Sequence, residues 1–97
     1  MSNIQSLQDA IKRMHGCDSA HVQSVPITER FQGKIVWQGT VEVFDLHGHA
    51  TAGRCYAWSH SKDDGGERYV AVLGVPPVDS AQRAVQAAIV AEAKKNC

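Results

Sequence analysis

The chain has 97 residues, enough for one compact domain over residues 1–97 and too few for two. Hydrophobic residues make up 43% and charged residues 21%, the mix of an ordinary globular protein, and no apolar run approaches the roughly 20 residues of a membrane span. Ten Lys and Arg balance ten Asp and Glu, which leaves no basic face to neutralise phosphates and no acidic tail.

Ile4, Leu7, Ile11 and Met14 recur at intervals of three, four and three, and predict an amphipathic helix over residues 3–15. Ser2 or Asn3 suits its cap, and Gly16 suits a left-handed stop. His15 places a cation at the negative end of the helix dipole. From residue 20 to 75 the apolar period falls to two. Four strands are predicted, at residues 21–31, 35–46, 54–60 and 68–75. Pro26 interrupts the first, which assigns that strand to a sheet edge. The breaks are Gln32-Gly33-Lys34, residues 47–52, and residues 61–67 around Asp63-Asp64-Gly65-Gly66. All are short enough for hairpins, so the economical topology is an antiparallel meander.

Val75-Pro76-Pro77 ends the last strand, and Asp79 with Gln82 in capping-box spacing heads a second helix running to residue 95. Ala81, Ala84, Val85, Ala88, Ile89 and Glu92 form its broad face, and Lys94 and Lys95 suit its negative end. The expected fold class is α+β: a four-stranded antiparallel meander flanked by an N-terminal and a C-terminal helix, in the order α-β-β-β-β-α.

Register converts this order into faces. A three-residue first loop pairs Phe31 with Ile35 and Val25 with Val41, whereas a two-residue Gln32-Gly33 turn sets apolar against polar. A six-residue second loop pairs Val43 with Tyr56, Val41 with Trp58 and Asp45 with Arg54, and sets Thr40 opposite Ser59. The third loop brings Val70 to Trp58 and Val72 to Tyr56. One face then carries Val25, Ile27, Phe31, Ile35, Trp37, Val41, Val43, Tyr56, Trp58, Val70 and Val72, enough to receive two short helices. The other face is semi-apolar through Val36, Phe44, Cys55, Ala57, Tyr69, Ala71 and Leu73. Such a patch calls for a cover, either the alanine-rich helix or a second chain. If a second chain covers it, the interface residues are Phe44, Ala57, Ala71 and Leu73.

The same register sets His21 opposite Asp45, with Arg54 and His47 alongside and His49 in the loop above. An imidazole held by a carboxylate is a general-base arrangement, and a guanidinium beside it binds anions, so His21, Asp45, His47 and Arg54 are the catalytic candidates. The plainer reading is a solvated hairpin end with an ordinary ion pair. His47-Gly48-His49 is a weak metal pattern, because only His21 or Asp45 is placed to complete a ligand set. Cys55 and His60 lie five residues apart on a strand, too far and on opposite faces for a nucleophile pair. Asp63-Asp64-Gly65-Gly66 lacks the alternating ligands of a calcium loop, and Gly39 is read as a bulge or a close packing contact. No phosphate-binding glycine motif is present and no cofactor is expected.

Three cysteines, Cys17, Cys55 and Cys97, form a poor disulfide framework, and the first residues do not resemble a signal peptide, so a reducing, cytoplasmic setting is expected, with Cys97 an exposed thiol. The α-β-β-β-α part of the order resembles double-stranded-RNA-binding domains in topology alone. Where those domains present lysines near the second helix start, this chain has Asp79, Ser80 and Gln82, so no nucleic-acid partner is expected. Trp37, Tyr56, Trp58 and Tyr69 would serve as stacking platforms, although core packing explains the first three more simply. The sequence therefore points to a small protein-interaction or regulatory protein acting as a homodimer or complex subunit. The alternative is a small-molecule-binding protein or enzyme that uses the His21, Asp45, His47 and Arg54 end.

Overall fold

Leu7 and Ile11 are fully buried on the inner stripe of helix α1, Asn3–His15, with Ile4 packed beside them. Ala10 completes that stripe, while Met14, expected to belong to it, is exposed. Gly16 takes a left-handed φ of 71° and donates its N–H to the Lys12 carbonyl, closing the helix as a C-terminal cap. The computed structural model describes residues 3–61, 65–76 and 78–95. The expectations for Cys97, for Asp63 and Asp64, and for the side chains of Glu92, Lys94 and Lys95 lie outside the described residues.

Four strands follow: β1 (Asp18–Phe31), β2 (Lys34–His47), β3 (Arg54–Ser61) and β4 (Glu67–Leu73). They form one open antiparallel sheet in the order β1-β2-β3-β4, and helix α2 (Ala81–Lys95) closes the chain. The architecture is α+β with the element order α-β-β-β-β-α. Pro26 lies on β1, an edge strand, where a missing donor leaves no gap in an internal ladder. Helix α2 begins after Ser80, not at Asp79. The Ser80 hydroxyl accepts the Arg83 N–H at 3.2 Å, the standard N-cap bond, and Gln82 is drawn away to Glu29.

The two helices lie on opposite faces of the sheet. Helix α2 covers the face of Ile27, Val41, Val43, Tyr56 and Trp58 with Ala81, Ala84 and Val85. The other face, with Phe44, Cys55 and Ala57, lies under Leu7 and Ile11 of α1. This corrects the expectation that the alanine-rich helix or a second chain covers the semi-apolar face. The reason is volume: beside Phe44 and Leu46, the small Cys55 and Ala57 leave room for Leu7 and Ile11, whereas Tyr56 and Trp58 leave room for little more than Ala81, Ala84 and Val85. Phe44, Ala57, Ala71 and Leu73, expected at an interface, belong to this internal core or pack against it.

The register of β1 against β2 is regular in the middle, with Val25 opposite Val41, and is interrupted twice. Near the hairpin end Arg30 faces Ile35 and Phe31 faces Lys34, so Val36 is an extra residue between Ile35 and Trp37. The turn is the two-residue Gln32-Gly33 type, with φ of 53° and 78°, rather than the three-residue loop. Two left-handed residues match the twist of a hairpin, and the bulge at Val36 restores the apolar register that such a turn otherwise breaks. In consequence Phe31 and Ile35 do not pair and are not core: they are 66% and 48% exposed. The β2–β3 ladder spans only Glu42–Ala57 to Asp45–Arg54, so the Val41–Trp58 and Thr40–Ser59 pairings are not made. Residues 26–40 thus extend beyond it as a two-stranded ribbon. The β3–β4 register has Val70 opposite Trp58 and Val72 opposite Tyr56, as expected.

Candidate functional site

The second irregularity falls between His21 and Gln23, where Val22 is the extra residue. In a regular strand residues three apart face opposite sides. The added residue instead brings His21 and Ser24 together over Glu42. Glu42 is 9% exposed, the one buried charged residue among those described. Its Oε1 lies 2.8 Å from His21 Nε2 and accepts the Ser24 hydroxyl. The His21 ring also meets Phe44 edge-on at 5.5 Å between centroids.

His21 therefore does not face Asp45. It is opposite Phe44, and Asp45 is opposite Ala20, because the bulge shifts the outer part of β1 by one residue. The imidazole–carboxylate pair exists, with Glu42 as its acid. Ser24 binds the carboxylate and not the ring, so no hydroxyl is lined up for activation by the imidazole. The three residues clasp the edge strand to its neighbour and satisfy a carboxylate that would be costly to bury alone.

Asp45 and Arg54 do pair across β2 and β3, with Arg54 Nη2 at 3.1 Å and Nε at 3.3 Å from Asp45 Oδ1. Both side chains are near half exposed, and such a pair contributes about 0–1 kcal/mol. His47 is exposed at the end of β2 opposite Asp18. Gly48, at φ 90°, then turns the chain, so His47 and His49 do not share an extended segment. His49 organises the loop instead: its Nδ1 accepts the N–H groups of Thr51 and Ala52 at 3.2 and 3.0 Å. Among the described residues no three His, Cys, Asp or Glu gather to hold a metal ion. The expected cluster is thus divided into a clasp, a surface ion pair and a loop support.

Cys17 and Cys55 are free thiols buried on the α1 face. Burial, with Cys17 adding a smaller effect, pushes the Cys55 thiol up to about 12 and makes it a poor nucleophile.

A concavity lies elsewhere, on the α2 face where β2 and β3 part. It is a groove of about 930 Å³ walled by Trp37, Trp58, Val70, Val72 and the α2 residues Ala88 and Ile89. The bulge directs two consecutive residues, Val36 and Trp37, to the same wall. The Trp37 indole lies over Gly39, where an added Cβ would come within 3.2 Å of it, and meets Trp58 edge-on at 5.5 Å. Close packing thus accounts for Gly39. His60 and Arg68, opposite each other across β3 and β4, line the same groove.

Glu42 and the groove both escape a period-two reading, because each depends on a one-residue bulge. The visible signal for the Val36 bulge is Gln32-Gly33 itself, since a residue followed by glycine between two apolar runs favours a two-residue turn. Comparisons with known protein families, with curated proteins and with solved structures find no match to this chain, so its function rests on its own residues.

Proposed function

We propose that the chain is a small interaction protein that acts as a homodimer or within a larger complex, and that a second copy docks on the tip of the β1–β2 ribbon. One observation carries this reading: Phe31 and Ile35 are large, apolar and exposed on a ribbon that extends past the third strand. A two-stranded ribbon is marginally stable in water, and it gains most from burial against another surface. A balanced formal charge puts no net repulsion between two copies. Phe31 pairs with Lys34 and Ile35 with Arg30, so the two apolar side chains leave opposite sides of the ribbon tip, and a symmetric partner would clasp that tip from both sides. Two buried thiols left unpaired suit a reducing, cytoplasmic setting.

Sedimentation of the full chain tests this. The parent should be dimeric at up to about 200 µM, comfortably above micromolar dissociation constants. Phe31→Ser with Ile35→Ser should be monomeric and still melt cooperatively, without the parent's rise of melting temperature with concentration. A monomeric parent throughout that range refutes the reading, as does a double variant that still dimerises.

A further inference from the structure

We infer that the outer edge of β4 is a docking edge for the β4 strand of a second copy, and that His15 of α1 keeps it closed by capping the Ala71 carbonyl. The direction of each backbone group follows from the ladder. Gly74 donates its N–H to the Arg54 carbonyl at 2.7 Å, so these two residues form a hydrogen-bonded pair. Bonded and non-bonded pairs alternate along an antiparallel ladder. Val72 is then bonded to Tyr56, whereas Leu73, Ala71 and Tyr69 are non-bonded opposite Cys55, Ala57 and Ser59. The N–H and C=O groups of Tyr69, Ala71 and Leu73 therefore point away from β3, on the open side of an outer strand.

The two edges of the sheet are guarded differently. β1 carries Pro26 and the Val22 bulge, both of which spoil a regular pairing edge. β4 has neither and keeps an unbroken register. Its run Tyr69-Val70-Ala71-Val72-Leu73 is uncharged and rich in strand-forming residues, the composition that recruits a further strand. Two donors from within the chain close it. His15 Nε2 lies 3.3 Å from the Ala71 oxygen, and because a carbonyl only accepts, Nε2 carries the proton. The Val75 N–H takes the Leu73 oxygen at 2.9 Å. The imidazole thus occupies the place where an incoming strand presents its N–H.

The run is complementary to itself. Two β4 strands paired antiparallel about Ala71 set Ala71 against Ala71, Tyr69 against Leu73 and Val70 against Val72, with no charge facing a like charge. The outward N–H of Leu73 then meets the Tyr69 carbonyl, so this register leaves the Val75 bond in place. The edge is separate from the ribbon tip, and its test does not depend on that reading.

The test replaces His15 in the full chain carrying Phe31→Ser and Ile35→Ser, which removes the tip contacts. His15→Ala should sediment as a dimer at up to about 200 µM, where the same chain with His15 is monomeric. Hydrogen exchange at the Ala71 and Leu73 amides should slow about tenfold as concentration rises. His15→Gln, which keeps a side-chain N–H of similar reach, should remain monomeric. His15→Met removes the donor but keeps a long, helix-forming side chain, and it replaces His15→Ala if that variant does not fold. The inference is overturned if the variants without a donor stay monomeric with exchange independent of concentration, or if His15→Gln associates as readily as they do. Association that protects other amides and not these two also overturns it. A background that is itself dimeric refutes the ribbon-tip reading alone, and exchange at Ala71 and Leu73 still decides the edge.

Discussion

The two faces of this sheet are filled by opposite means. Under α1, the sheet offers Cys55 and Ala57 and the helix supplies Leu7 and Ile11, all essentially inaccessible to solvent. Under α2 the sheet supplies Tyr56, Trp58 and Trp37, and the helix supplies Ala81, Ala84 and Ala88 with Val85 and Ile89. Leu7 and Ile11 fill the space that Cys55 and Ala57 leave beside Phe44. Alanines over aromatic rings leave space between the rings, and that space is the groove. A small domain can thus fill one face more tightly than the other.

The strongest test of this contrast removes one aromatic side chain from each face. Phe44→Ala should cost about 3–5 kcal/mol, because Phe44 is fully enclosed and its cavity cannot collapse. Trp37→Ala, beside an open groove, should cost about 1–2 kcal/mol less than that despite its larger ring. Denaturant melts of both variants decide the matter, and equal losses would remove the contrast.

A smaller effect is expected at the clasp on the rim of the closed face. Glu42→Gln keeps the shape and removes the charge that faces His21 and Ser24, and should cost about 1–3 kcal/mol. A neutral outcome would mean that the clasp does not hold β1 in place. In the ribbon, Gln32 adopts a left-handed φ of 53° that costs a side chain other than Asn or Gly about 1 kcal/mol. Gln32→Asn should therefore stabilise by about 0.5–1 kcal/mol. A loss of stability there would contradict the two-residue turn.

The smallest effect belongs to the exposed pair of Lys12 and Asp18, 2.8 Å apart. The hydrogen bond from Lys12, and then its charge, hold the Asp18 carboxyl below its ordinary range, and the same bond and then the Asp18 charge raise the lysine. A depressed carboxyl contributes stability that is present above its unfolded pKa and is lost as pH falls through the folded value. A raised ammonium contributes stability that is full below its unfolded pKa and is lost as pH rises through the folded one. Titration of the Asp18 carboxyl by NMR should show its pKa rising in Lys12→Gln. An unchanged value would mean that the pair does not form in solution.

Local patterns carried much of the architecture. The Ile4, Leu7 and Ile11 stripe with Gly16 marked α1 to its last residue, and Pro26 marked the edge strand. The Asp45–Arg54 and Trp58–Val70 pairings followed from loop length and alternation. The failures share one physical origin. A bulge inserts a single residue, and period-two reasoning then assigns every residue beyond it to the wrong partner. Val22 moved His21 from Asp45 to Phe44, and Val36 turned Phe31 and Ile35 out of the core. The helix assignments failed differently, because apolarity was counted and volume was not. Cys55, Ala57 and Ala71 leave a shallow surface that suits Leu7 and Ile11, and that match was visible in the residues themselves.

His15, at the end of α1, reaches the carbonyl of Ala71 on β4 at 3.3 Å, across 56 positions of chain. Ribosomal synthesis proceeds from the N-terminus, so the first helix is made long before the strand it docks on. Until β4 emerges, Leu7 and Ile11 lack part of the surface that buries them, and the nascent segment is exposed to chaperones and to aggregation. Closure of that face is thus a late, long-range event, of the kind that slows folding because a long loop must be closed first. In pulse-labelled hydrogen exchange during refolding, α1 should gain protection no earlier than β4.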